Sequence, residues 1–151
     1  MLLGAAAQAQ VQPGEDLQAI LDRGEDLGLQ PKAVYPIERT LKFTKPHQRI
    51  YTVGASNLHD YATLLIANSN LLEMINAKGV AGVCLERVIV DGNRYRLSAP
   101  RKVPKVSQDP LTFFGGKGAD GQIIRNNVFR STRSWSTLKI HEGANKILVE
   151  N

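Results

Sequence analysis

The sequence predicts an all-β chain, built of short strands stacked in parallel as a solenoid behind one short N-terminal helix. Three observations lead there. After Ala33 the apolar runs are short and are bounded by Gly, Asn, Asp or Pro. A motif recurs as VCLERV at 83–88, QIIRNN at 122–127 and ILVEN at 147–151. The two-residue hairpin turns of an antiparallel sandwich are scarce. Asp91-Gly92 is the main candidate, and no matching strand follows it closely.

From Pro13 to Leu27 the pattern is helical. Leu17, Ile20 and Leu21 share one face at i, i+3 and i+4, with Glu15, Asp16, Asp22 and Arg23 elsewhere. Glu15 and Asp16 suit the positive end of the helix dipole, and Gly24 or Gly28 is the expected stop. Strands are then expected at Thr40–Phe43, Arg49–Val53, Ala62–Ala67, Leu72–Ile75, Val83–Leu85 and Val88–Val90. Further strands are expected at Leu111–Phe114, Gln122–Arg125, Val128–Arg130, Thr137–Ile140 and Ile147–Val149.

Aligning the repeats puts Leu85, Ile124 and Val149 in one column, and Glu86, Arg125 and Glu150 in the next. The gap between the first and second copies is wider than that between the second and third, which leaves room for an insertion at Asn93–Pro110. In a β-solenoid such positions stack about 4.8 Å apart. The apolar column would then be internal, and the charged one an outward ladder of alternating sign. Asn at the turns can hydrogen-bond along the stack.

The segments VCLERVIVDGNRY, QIIRNNVFRS and KILVEN resemble rungs of the pectin-lyase-like superfamily. LQAIL, VYPIERTLKF and QRIYTVGA resemble its N-terminal cap and first coils. The resemblance spans residues 13–151 and implies a right-handed single-stranded parallel β-helix with a short capping helix, a cap being what covers the open end of the core. On that basis 13–151 would be the N-terminal five or six coils of a domain that continues beyond Asn151. Residues 1–12 read as a residual signal peptide or disordered tail, with Ala7-Gln8-Ala9 resembling a cleavage site. A secreted or periplasmic location follows as an expectation.

Composition narrows the partners. The chain has 151 residues, 13 Gly, 6% aromatics, a net charge of +5 and a pI near 9.5, which favours an anionic partner. No nucleic-acid-binding motif accompanies the charge, so an acidic polysaccharide is expected instead. No run reaches the ~20 apolar residues of a membrane span. Cys84, the single cysteine, reads as a small side chain in or near a strand. Gly115-Gly116-Lys117-Gly118 lacks the spacing of a phosphate loop. The resemblance alone admits calcium; the residues show no acidic cluster on successive rungs, and no cofactor is expected.

Chemistry concentrates between Arg130 and Glu142. Alternation would bury Leu138 and Ile140 and turn Lys139 and His141 outward. Lys139 or His141 is the candidate base for β-elimination, with Arg133 stabilising the enolate-like charge. Arg130, Trp135 and Glu142, with Asp91 and Arg94 at the head of the insertion, are the candidate substrate-binding residues. The insertion also carries Arg101, Lys102 and Lys105. Glycoside hydrolysis would need two carboxyls about 5–10 Å apart, for which Asp91 and Glu142 are candidates. The resemblance thus implies a polysaccharide lyase on an acidic glycan. A hydrolase, a non-catalytic glycan-binding or adhesion protein, and a purely structural coil stack are the alternatives, since one fold carries many functions.

Overall fold

The computed structural model describes residues 10–97, 110–133 and 136–151. Ala7-Gln8-Ala9, Arg101, Lys102, Lys105 and Trp135 lie outside the described residues. The helix α1 covers only Leu17–Asp22. Asp16 caps it, its carboxylate accepting from the Ala19 amide at 3.1 Å, and Leu17, Ile20 and Leu21 turn inward as their spacing predicts. It is shorter than the Pro13–Leu27 expected. Gly24 stops it at φ +83, and Leu27 is drawn into the first strand by pairing with Ile50.

Three parallel sheets follow. Sheet A holds β1 (Leu27–Leu29), β4 (Arg49–Thr52), β7 (Cys84–Glu86), β10 (Ile123–Arg125) and β13 (Leu148–Glu150). Sheet B holds β2 (Val34–Ile37), β5 (Ala62–Ile66), β8 (Val88–Asp91) and β11 (Val128–Arg130). Sheet C holds β3 (Leu41–Lys42), β6 (Ile75–Asn76), β9 (Thr112–Gly115) and β12 (Leu138–His141). The chain visits A, B and C in turn, and each strand pairs in parallel with the strand three places on. The arrangement is β-helix-like. Strands β1 and β2 were not among those expected.

The register stacks like on like. Leu27, Ile50, Leu85 and Ile124 form one column, the first three at 0% exposure and Ile124 at 1%, and Val149 continues it at 50%. Tyr35, Leu64, Val90 and Phe129 form the sheet B column; Leu41, Ile75, Thr112 and Leu138 form that of sheet C. Each aliphatic side chain so buried contributes about 1.5–3 kcal/mol. The coils differ in length: the steps from Ile50 to Leu85 and from Leu85 to Ile124 are longer than those from Leu27 to Ile50 and from Ile124 to Val149. The extra chain lies between β4 and β6 in one coil and between β8 and β9 in the next.

Polar side chains brace the corners. Asn127 is buried, donates to the Leu85 carbonyl of the preceding turn at 2.8 Å and accepts from the Val88 amide at 3.1 Å. This is the stacking role expected of a turn asparagine. Gln48 and Gln122 do the same where sheet C leads into sheet A, each donating to two carbonyls of the turn before. Nothing in their sequence context marked them. Among the described residues no helix is long and apolar enough to cross a membrane. Cys84 is buried in β7, and burial pushes its thiol up from the usual value.

Glu86, Arg125 and Glu150 share the outward column as expected, and Glu86 is the centre of an ion cluster. Its side chain is 1% exposed and accepts from the Arg49 guanidinium and from Arg125 Nε at 2.7 Å. Burial raises the Glu86 carboxyl, but the hydrogen bonds from Arg125 and Arg49 outweigh it and hold the group below its ordinary value of 4.5. A folded value below the unfolded one stabilises the fold fully above pH 4.5, and the benefit fades as pH falls through the lowered value. Glu86→Gln should lower stability at neutral pH by about 1–2 kcal/mol. The figure is modest because Arg49 and Arg125 keep 39% and 38% of their side-chain surface in water. Urea midpoints of parent and variant should converge in acid; a gap that stayed constant would contradict this.

Candidate functional site

The outer face of sheet C carries the densest chemistry. Along β9 alternation sends Thr112 and Phe114 inward and Phe113 outward. Strand β12 lies on it in register: Lys139 on Phe113, Ile140 on Phe114, His141 on Gly115. The Lys139 ammonium is 5.7 Å from the centroid of the Phe113 ring, and the Lys78 ammonium is 5.6 Å from the same point. The His141 ring meets Phe113 edge-on, with centroids 5.8 Å apart and an 84° interplanar angle. One aromatic ring thus gathers two ammonium groups and an imidazole.

Local structure holds each part in place. The Lys78 amide donates to Asn76 Oδ1 at 3.0 Å, a tight turn at the end of β6. Thr112 Oγ1 donates to the Thr137 carbonyl at 2.7 Å, tying β9 to the start of β12. Gly115 has φ +83, and a Cβ there would stand 2.3 Å from the His141 carbonyl oxygen. Only glycine lets the two backbones come so close. His141 Nδ1 lies 3.2 Å from the Glu142 carbonyl oxygen. A proton on Nδ1 can bond there, which leaves Nε2 with its lone pair free to accept a proton.

The expected residues divide between two sheets. Lys139 and His141 stand on sheet C as alternation predicts, with Leu138 packed against the core. Ile140 takes the inward register but is 44% exposed rather than buried. Glu142 is exposed beside His141. Arg133 sits in the segment from β11 to β12, where burial lowers its guanidinium below the usual value. Asp91 and Arg130 pair across sheet B, Arg130 Nε donating to Asp91 Oδ2 at 2.7 Å, and Arg94 follows β8. Asp91 therefore ends a strand of sheet B and Glu142 follows β12 of sheet C, and Asp91 already serves an arginine.

Phe113 and Lys78 are functional candidates that sequence reasoning missed. The signal for the first was the Phe113-Phe114 pair inside a strand, where one ring must face out. Among the described residues no three His, Cys, Asp or Glu side chains are grouped to hold a metal ion. Compared with family models, with curated proteins and with solved structures, the chain matches none.

Proposed function

We propose that the chain forms coils of a secreted, pectin-lyase-like right-handed parallel β-helix that binds an acidic polysaccharide on the outer face of sheet C and cleaves it by β-elimination. The observation that carries this reading is the convergence of Lys78, Lys139 and His141 on Phe113. A polyuronate offers carboxylates to the two ammonium groups and the apolar face of a sugar ring to the phenyl ring. The net charge of +5 favours the same class of partner.

In the elimination, His141 Nε2 takes the proton α to the uronate carboxylate. The electron pair left behind forms the ring double bond, the glycosidic C–O bond breaks, and the departing oxygen takes a proton from solvent or a nearby acid. Lys139 and Lys78 hold the carboxylate and offset the charge that builds on it in the transition state. Sheet register fixes these groups before substrate arrives, so little ordering is left to do on binding.

Incubation with pectate, alginate and glycosaminoglycans, followed by absorbance of the unsaturated uronate, tests the reading. Activity on at least one is expected. His141→Ala should then reduce kcat by about 10²–10⁴ with little change in the melting temperature. Lys139→Ala should raise KM and also lower kcat, since it removes charge stabilisation made in the transition state. Unchanged turnover in both variants would remove the site, and binding without any unsaturated product would favour the adhesion reading.

A further inference from the structure

We infer that the outer face of sheet B holds a second site, a groove for a carboxylate-bearing sugar of one or two rings, separate from the sheet C patch. Val34, Thr63 and Leu65 lie on its floor; Arg94, Tyr95 and Arg96 form one wall, and Arg130 stands at its edge. Its volume is about 530 Å³, within the range of pockets that enclose small ligands.

The wall is built rather than incidental. The Gly92 position lies so close to β11's exit that a Cβ would meet the Ser131 carbonyl oxygen at 2.4 Å. The Asn93 amide donates to Asp91 Oδ1 at 2.8 Å, and Asn93 Nδ2 donates to the Ile66 carbonyl at 2.9 Å. The Arg94 amide donates to the Ser131 carbonyl at 3.1 Å, and Leu97 packs against the core at the far end of the turn. Between these anchors Arg94, Tyr95 and Arg96 face water, Tyr95 at 86% exposure. An exposed aromatic between two exposed guanidiniums on an anchored turn fits ligand contact better than packing.

The charges choose the ligand. Asp91 neutralises Arg130, and among the described residues neither Arg94 nor Arg96 pairs with a carboxylate. Two guanidiniums are left for the ligand, each able to bind a carboxylate with two parallel hydrogen bonds. The floor supplies one hydroxyl, from Thr63, and the aliphatic surface of Val34 and Leu65, which matches the two faces of a pyranose. The ring of Tyr95 can close over it.

Isothermal titration with galacturonic acid and digalacturonate, against galactose and inorganic phosphate, tests the inference on the full chain. The acidic sugars should bind and galactose should not. Arg94→Ala with Arg96→Ala should weaken one of two uronate-binding events at least tenfold at an unchanged melting temperature, whereas Lys139→Ala, which weakens the sheet C event, should leave that one intact. Loss of all uronate binding in Lys139→Ala, with both events retained in the double variant, would leave the ligand on sheet C alone and overturn the inference. So would equal binding of galactose, phosphate binding as tightly as the uronates, or no binding by any probe. Elimination is read by product absorbance and this groove by heat of binding, so failure of one does not imply failure of the other.

Discussion

Replacing Leu85 by Ala should lower stability by roughly 3–4 kcal/mol, measured as the shift in urea midpoint at constant slope. Leu85 is fully buried and lies in register between Ile50 below and Ile124 above, both themselves buried. Truncation removes an isopropyl group and leaves a hole that neighbours pinned by parallel hydrogen bonds cannot close. Ile124→Ala opens the adjoining space, so the two changes should not add. A double-mutant cycle should show a coupling of about 0.5–3 kcal/mol. Ala at the exposed Leu58 is the control, since it is 52% exposed and should change little. If Leu85 and Ile124 added independently, the stacked column would be wrong, and every site built on its register would go with it.

Gly115→Ala should be the most damaging single methyl group added to the site. The residue has φ +83, which costs a non-glycine about 1–2 kcal/mol. The new Cβ would also sit 2.3 Å from the carbonyl oxygen and 2.8 Å from the nitrogen of His141, both backbone atoms that cannot swing aside. Strand β12 must therefore lift off β9, carrying Lys139 and His141 away from Phe113. The expected result is a loss of about 2–3 kcal/mol together with loss of elimination activity. Gly14→Ala separates the two contributions. It has φ +98 with nothing within 4 Å of an added Cβ, so it should show backbone strain alone and keep activity. Equal effects at the two glycines would mean that the close approach of β9 and β12 plays no part.

The column of Leu85, Ile124 and Val149 was legible because three copies kept both the apolar residue and its charged neighbour in step. Leu27-Gly28-Leu29 was not, since a Leu at the end of a helical spacing looks the same whether the chain coils on or straightens. Only its pairing with Ile50, one coil further on, decides between them. Val34–Ile37 is interrupted by Pro36, which weakens any strand signal although the position faces outward. The site was half legible for a related reason. Lys139 and His141 follow from alternation within one strand. Phe113 lies one coil before Lys139, and Lys78 one coil before that, so only the register brings them together. Linear proximity also misled. Arg130 is close to Lys139 in the chain, yet one strand faces out of sheet B and the other out of sheet C.

The glutamines at the corner between sheets C and A have a consequence for how the chain tolerates change. The links at that corner are nearly uniform in length, whereas those from sheet B to sheet C range from the short turn between Ile37 and Leu41 to the long excursion between Asp91 and Thr112. Gln48 and Gln122 span a fixed gap, so a residue added at their corner would strip buried carbonyls of their donors. At the opposite corner the lengths already vary, and doubling a flexible link costs only about 0.6 kcal/mol. Guest peptides grafted between Ser69 and Asn70 should therefore be carried with little change in melting temperature, while the same graft beside Gln122 should lower it sharply. That edge is where a lineage, or an engineer, can try new surfaces while the rest of the molecule keeps its pitch.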